Sequence, residues 1–305
     1  MGMIVQLPIV CTDRMKPLQR VCLEQSNAVW FANFDDRPSR LFDGLEHIRA
    51  SIFTIQKGKA KYSGVYSTNY NRWYSELRPV LFELLALTEI RDLLMDGAIP
   101  KIGQMTAKSV RQCITSFVPL GRYLTRNSKY AVYFHNAPQY WIRSMDFTPY
   151  FWNERDGEQI SSHVKSLHLI TPLDTSVTVA TLNSSIFYWW FIALSNCRDL
   201  VMREIENFPI GLEQMSEVMK KKLTVLSKKL MGDLKRHANR KQTYYKTTGK
   251  VIYDEFYPKY SKSIIDEIDR ILAQHFGFTD EELDFIINYD IKYRMGLESE
   301  EESGE

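Results

Sequence analysis

Phe42 lies within residues 37–58, RPSRLFDGLEHIRASIFTIQKG, whose residue types point toward binding chemistry. Pro38 restricts the turn that Arg37 enters, and Gly44 follows Phe42 within the same short loop. The apolar run ASIFTI at residues 50–55 then predicts a buried strand. Open α/β sheets bind ligands beyond strand ends, so a loop aromatic entering such a strand can offer a stacking platform to a flat substrate. The plainer reading is that an isolated loop phenylalanine packs.

Further along, Lys57, Lys59 and Lys61 lead into a patch of Tyr62, Tyr66, Asn69, Tyr70, Asn71, Arg72, Trp73 and Tyr74. Cations of this kind find phosphates, while Asn and Arg reach base edges, so the mixture suits nucleic-acid contact as well as it suits a tyrosine-rich surface loop. Arg122, Arg126, Lys129, Arg143 and Arg155 are candidates for phosphate or base contacts, or solvated surface charges. Asn196 and Arg198 sit in the polar loop SNCRD that directly follows an aromatic helix, a placement that favours DNA contact. His135, His163 and His168 have no Asp, Glu or Cys at ligand spacing beside them, which argues against a metal site. Asp266, Glu267, Asp269, Glu281 and Glu282 could suggest a metal-dependent nuclease, but their places at helix starts favour dipole complementation.

The elements that must position these residues follow from periodicity. Residues 3–10 predict a strand, 12–24 a helix, and 27–34 and 50–56 two further strands. A parallel strand at the very start would be an unpaired edge, so the segment reads as the last third of a doubly wound sheet. Residues 77–95 predict an amphipathic helix with Pro79 in its first turn and Leu81, Leu84, Leu85 and Ile90 in the core. Residues 129–134 and 140–146 flank Asn136-Ala137-Pro138 as a hairpin, and 162–170 predicts another strand. A helix over 174–194 carries Phe187, Tyr188, Trp189, Trp190 and Phe191 on consecutive positions, so it must be apolar nearly all round and serve the core.

The last third is helical and electrically split. Residues 211–250 hold eleven Lys or Arg against three Asp or Glu, and residues 251–305 hold five against fifteen. One long helix is predicted to carry Lys220 to Lys222, Lys228, Lys229, Lys235, Arg236, Arg240 and Lys241, with Leu223, Leu226 and Leu230 as its apolar stripe. Its basic face could follow a duplex backbone, remain solvated, or meet the acidic segment after it. A helix over 261–276 ends at Gly277, Thr279 to Glu282 forms a capping box for the next, and 298–305 reads as an acidic disordered tail.

Composition bounds the class. At 44% hydrophobic and 25% charged residues the chain is globular, and its net charge of +2 hides the asymmetry above. Cys11, Cys22, Cys113 and Cys197 form no CxxC pair, so neither a zinc site nor a disulfide framework is indicated and a reducing cytoplasm fits. The densest apolar run, residues 186–194, is about half of the roughly 20 residues a bilayer span needs, and no membrane is expected.

Several of these stretches resemble the amino-methylating adenine DNA methyltransferases, especially the type II and fused restriction-modification enzymes. Gly2-Met3-Ile4-Val5-Gln6-Leu7-Pro8 is similar to the strand after that family's catalytic loop, and RPSRLFDG to its late motif. The resemblance continues in LNSS at 182–185, FYWW at 187–190, RDL at 198–200, EIENFP at 204–209 and the helices over 264–296. It implies a mixed α/β chain: the end of a catalytic domain at 1–58, a DNA target-recognition region at 59–215, a helical region at 216–296 and an acidic tail at 297–305. It implies Phe42 as the residue stacking on a flipped-out adenine; with the residue types read above, Arg37, Arg40, Asn71, Arg72, Arg122, Arg126, Asn196 and Arg198 are the expected contacts to double-stranded DNA.

The family's glycine-containing donor motif and its Asn-Pro-Pro-Tyr tetrapeptide have no counterpart in this sequence. Asn136-Ala137-Pro138 and Asn207-Phe208-Pro209 come nearest, in the wrong context. No catalytic residue and no bound cofactor are therefore expected of this chain alone. S-adenosylmethionine belongs to a complete enzyme, whose amino-terminal methyltransferase part would be a fragment or subunit partner. A stand-alone, non-catalytic DNA-binding specificity module and a remnant of a disrupted restriction-modification gene are the other readings.

Overall fold

Strands β1 (Gly2–Gln6), β2 (Ser26–Phe34), β3 (Ala50–Lys57), β4 (Gly64–Asn71) and β5 (Thr88–Glu89) form one sheet in the order β1-β3-β2-β4-β5. The structure is a computed structural model and describes residues 1–44, 46–58 and 64–296. Lys59, Lys61 and Tyr62 of the basic patch, and the acidic tail, lie outside the described residues. The expected mixed α/β fold is found, and the chain divides into two compact units, Met1–Thr115 with Trp190–Cys197, and Ser116–Trp189 with Arg198 onward.

In the first unit, β2 is parallel to β4 and antiparallel to β3, while β1 runs antiparallel to β3. The expected parallel strand over 3–10 is thus corrected twice. Pro8 has no N–H to give a ladder, and residues Leu7–Val10 instead form a 3₁₀ turn whose Leu7 N–H reaches the Arg49 carbonyl at 2.9 Å. Val29, Phe31, Phe53 and Val65 are fully buried along the three central strands. Helix α1 (Lys16–Glu24) precedes β2 as expected, and α2 (Met105–Ile114) follows the sheet.

The helix expected over 77–95 does not form. Pro79 falls inside a 3₁₀ turn, Ser75–Val80, and Thr88 pairs with Ser67 of β4, so sheet pairing replaces a helical ladder. Leu81 and Ile90 are buried as expected, whereas Leu84 faces solvent.

The second unit carries two sheets. Strands β6 (Tyr130–His135) and β7 (Ser144–Met145) form the expected hairpin pairing, while β8 (Phe151–Asn153) and β9 (Gly157–Glu158) pair with each other. Strand β10 (Val164–Leu169) lies antiparallel to β6. The helix expected over 174–194 is two helices, α3 (Pro172–Leu182) and α4 (Ser185–Leu194), bent by 67°. Side chains make the break. Asn183 donates from Nδ2 to the Val179 and Ser144 carbonyls, both at 2.7 Å, and Asp269 Oδ1 accepts the Ser185 N–H at 2.9 Å as a new helix cap. The run from Ile186 to Phe191 is buried throughout, as its all-round apolarity requires.

After α5 (Met202–Glu206), α6 (Glu217–Arg236) buries Leu223, Leu226 and Leu230. It stops before Arg240 and Lys241, which lie on β11 (Asn239–Tyr245) rather than on the expected single helix. Strand β12 (Gly249–Glu255) joins β11 to β8, giving the order β11-β12-β8-β9. Helix α7 (Lys262–Phe276) ends at Gly277 with φ 72°, and Thr279 and Glu282 exchange capping bonds at the start of α8 (Asp280–Asn288). A short α9 (Ile291–Arg294) closes the described chain. Among the described residues no helix is long and apolar enough to cross a membrane.

Candidate functional site

Because β2 and β4 are parallel, their carboxyl ends lie at one edge, and the loop over residues 35–49 leaves from that edge to return as β3. A polar seam runs beneath it across three strands. Ser51 donates to Asn33 Oδ1 at 3.0 Å, and Asn33 Nδ2 donates to Ser67 Oγ at 3.1 Å, all three side chains being buried. The β2/β4 register breaks between Phe31 and Asn33, and the Thr68 hydroxyl accepts the Asn33 N–H that the ladder leaves over. This bulge re-aims the residues that follow in β4.

Two carboxylates and two guanidiniums then join the loop's stems. Arg72 Nε donates to Asp35 Oδ2 at 2.7 Å, and Arg49 Nε donates to the Tyr70 hydroxyl at 2.8 Å. Arg49 Nε also lies 3.4 Å from both Asp35 Oδ1 and Asp36 Oδ1, so the first and last residues of the loop are bound to each other. Burial would push the Asp35 carboxyl up, but Arg72 and Arg49 outweigh it and hold it below the usual range. Asp36 goes the other way: burial and the neighbouring Asp35 raise it, only partly offset by Arg49. Burial also pushes the Tyr70 phenol well up, with Cys197 and Asp35 adding to the effect.

Phe42 is half-buried on this loop and packs against Phe34, Leu41, Ala50, Trp73 and Leu81. Arg78 holds the backbone just before it, donating to the Arg40 carbonyl at 2.8 Å and the Leu41 carbonyl at 3.1 Å, with its guanidinium 4.9 Å from the Trp73 ring. The ring is thus fixed between a hydrophobic floor and a pinned main chain. Such a ring can stack on a planar group.

The other sequence-derived residues fall in several places. Arg37 is exposed next to Pro38, the peptide between them being cis, and Arg40 pairs with Glu46 at 2.9 Å on the surface. Asn71 and Arg72 are at the loop edge, but Asn71 spends its amide on the Asn33 and Asn69 carbonyls and Arg72 spends its Nε on Asp35. Asn196 follows α4 in the first unit and is half-buried. Arg122, Arg126 and Arg198 are exposed and belong to the second unit. His135 and His163 stack with ring centres 5.5 Å apart, and burial together with Arg143 lowers His135 to about 4. Among the described residues no group of three His, Cys, Asp or Glu is placed to hold a metal ion.

Asp35, Asp36, Arg49 and Arg78 were not singled out from sequence. The signal for the first two was an Asp-Asp doublet directly after an apolar strand; Arg49 and Arg78 carry none, because their partners are distant along the chain.

No family model matches the chain, and no curated protein matches it. Among solved structures, a weak neighbour is the type IIG restriction endonuclease BpuSI, at 8% identity and a TM-score of 0.31. The match covers 94% of this chain and 47% of that one, so the chain spans about half the length of that enzyme.

Proposed function

We propose that this chain is the sequence-recognition and flipped-adenine-stacking part of a site-specific adenine DNA methyltransferase of a restriction-modification system. Methyl transfer from S-adenosylmethionine then depends on an amino-terminal part bearing the donor-binding and Asn-Pro-Pro-Tyr motifs. The observation that carries the reading is Phe42, half-buried at the carboxyl ends of parallel strands and held by Arg78 through the carbonyls of Arg40 and Leu41. Extruding a base costs a few kcal/mol and an aromatic stack returns about 1 to 3 kcal/mol, so one fixed ring offsets much of that cost without performing chemistry.

A duplex with a fluorescent adenine analogue at candidate positions tests it. Wild-type protein and Phe42→Trp should change the emission on binding, and Phe42→Ala should fail to do so while keeping nonspecific affinity. Equal emission with wild type and Phe42→Ala would remove Phe42 from the role.

A further inference from the structure

Strands β11 and β12 form a ribbon with a composition unlike its surroundings. Residues 239–250, NRKQTYYKTTGK, contain Arg240, Lys241, Lys246 and Lys250 and no acidic residue. Tyr244 is 74% exposed and Tyr245 53%. In the antiparallel register Tyr244 lies opposite Lys250 and Thr243 opposite Val251. Side chains alternate along a strand, so Arg240, Gln242 and Tyr244 share the face that carries Lys250, while Thr243 lies on the face of the buried Val251.

The root of the ribbon is fixed by ion pairs, and the ammonium groups at its tip are in none among the described residues. Arg240 donates to both Asp254 carboxylate oxygens, at 2.6 and 3.0 Å, and its guanidinium lies 3.8 Å from the Tyr150 ring. Lys241 pairs with Glu255 at 3.5 Å. Glu154, from the turn after β8, accepts the Lys250 backbone N–H at 2.9 Å. Lys246 and Lys250 make no ion pair among the described residues.

We propose that the β11–β12 ribbon enters a groove of duplex DNA, with Lys246 and Lys250 against phosphates and Tyr244 against the groove wall. Past Val251, where the pairing of β12 with β8 ends, the turn end is two-stranded and of a width that fits the major groove, and the acid-free tract 239–250 with its exposed aromatic rings complements a polyanion. A partner strand added to the β11 edge would be held by backbone bonds and would need neither cations nor exposed tyrosines. This inference rests on the DNA-binding reading above and adds the element that makes the contact.

The full chain is titrated onto a fluorescent duplex at several salt concentrations. Replacing both Lys246 and Lys250 by Ala should reduce the slope of log affinity against log salt by about 1.8, at roughly 0.9 for each phosphate no longer neutralised, and Arg at both positions should restore it. Tyr244→Ala should weaken binding about tenfold at an unchanged slope. Wild-type binding with all variants indistinguishable from it would overturn the ribbon contact and leave the DNA reading standing. Absence of wild-type binding at any salt would sink both. Loss of self-association by Tyr244→Ala in sedimentation, with DNA affinity unchanged, would make the ribbon a protein-pairing edge and overturn the proposal.

Discussion

Arg72 donates from Nε to Asp35 Oδ2 at 2.7 Å with both side chains only 5% exposed. An arginine that sequence composition offers as a base reader is therefore committed to closing a loop. Removing Arg72 leaves the buried Asp35 with only the longer Arg49 contact at 3.4 Å, so Arg72→Met should cost about 3 kcal/mol of stability. Urea unfolding measures it directly. A stable Arg72→Met protein with reduced DNA affinity would instead return Arg72 to the role of a DNA contact.

Asp269 gives the second unit a pH dependence of definite sign. It is completely buried as the cap of α4, and burial raises its carboxyl to about 6 although Ser185 and Arg294 pull it down. A folded value above the unfolded one means that the native state holds the proton more tightly between about 4 and 6. Stability should therefore rise as pH falls from 7 through 6 toward 4, by roughly 3 kcal/mol for two units. Asp35 acts oppositely, its held-down carboxyl stabilising above about pH 4 and losing that contribution below it. Chemical denaturation of wild type and Asp269→Asn between pH 4 and 7 should show the Asp269 slope in the first and not in the second. Parallel curves would mean that Asp269 does not titrate there.

What the sequence made legible follows the same physics. Strands β2 and β3 were readable because Val29, Phe31 and Phe53 stand in dense apolar runs. Strand β4 was missed because, apart from Val65, its buried positions are Ser67, Thr68 and Tyr70, which hydrogen-bond to Asn33 and Arg49 instead of announcing a core. The leucines at 81, 84 and 85 mimic a helical stripe, and only the pairing of Thr88 with Ser67, set by tertiary structure, decides against it. The bend between α3 and α4 depends on Asp269, 84 residues beyond the Ser185 N–H it accepts, so local reading could not find it. Phe42 was legible as a loop aromatic; the ion pairs that hold its loop were not, since Asp35 and Arg72 are 37 residues apart.

Arg78 should control the order of the Phe42 loop more than global stability. Its two bonds go to the Arg40 and Leu41 carbonyls, and these groups are partly open to solvent, so removing them costs about 1 kcal/mol. The hydrophobic floor under Phe42 remains in Arg78→Ala, because Phe34, Leu41 and Trp73 keep their burial. Amide exchange in residues 36–44 should therefore accelerate while exchange in β2 and β3 stays slow. Uniform acceleration through the sheet would show that Arg78 supports the unit as a whole.

Lys101 is 1% exposed, and its ammonium donates to the Ala193 carbonyl at 3.2 Å and the Ser195 carbonyl at 2.7 Å. The last carbonyls of a helix have no partner within it, and a cation there also meets the negative end of the helix dipole. Lys101→Met keeps the apolar stem and the backbone N–H of residue 101 on the Ala193 carbonyl at 2.9 Å, but takes the ammonium away from the buried Ser195 carbonyl, at about 1 to 3 kcal/mol. Arg111 stacks over Trp190 at 4.9 Å in the same segment, so a frayed helix end should also alter tryptophan emission. The expected outcome is a loss of about 1 to 3 kcal/mol in urea unfolding with a shift of native-state fluorescence. An unchanged midpoint would mean that another donor satisfies the Ser195 carbonyl and that the buried lysine is not what terminates α4.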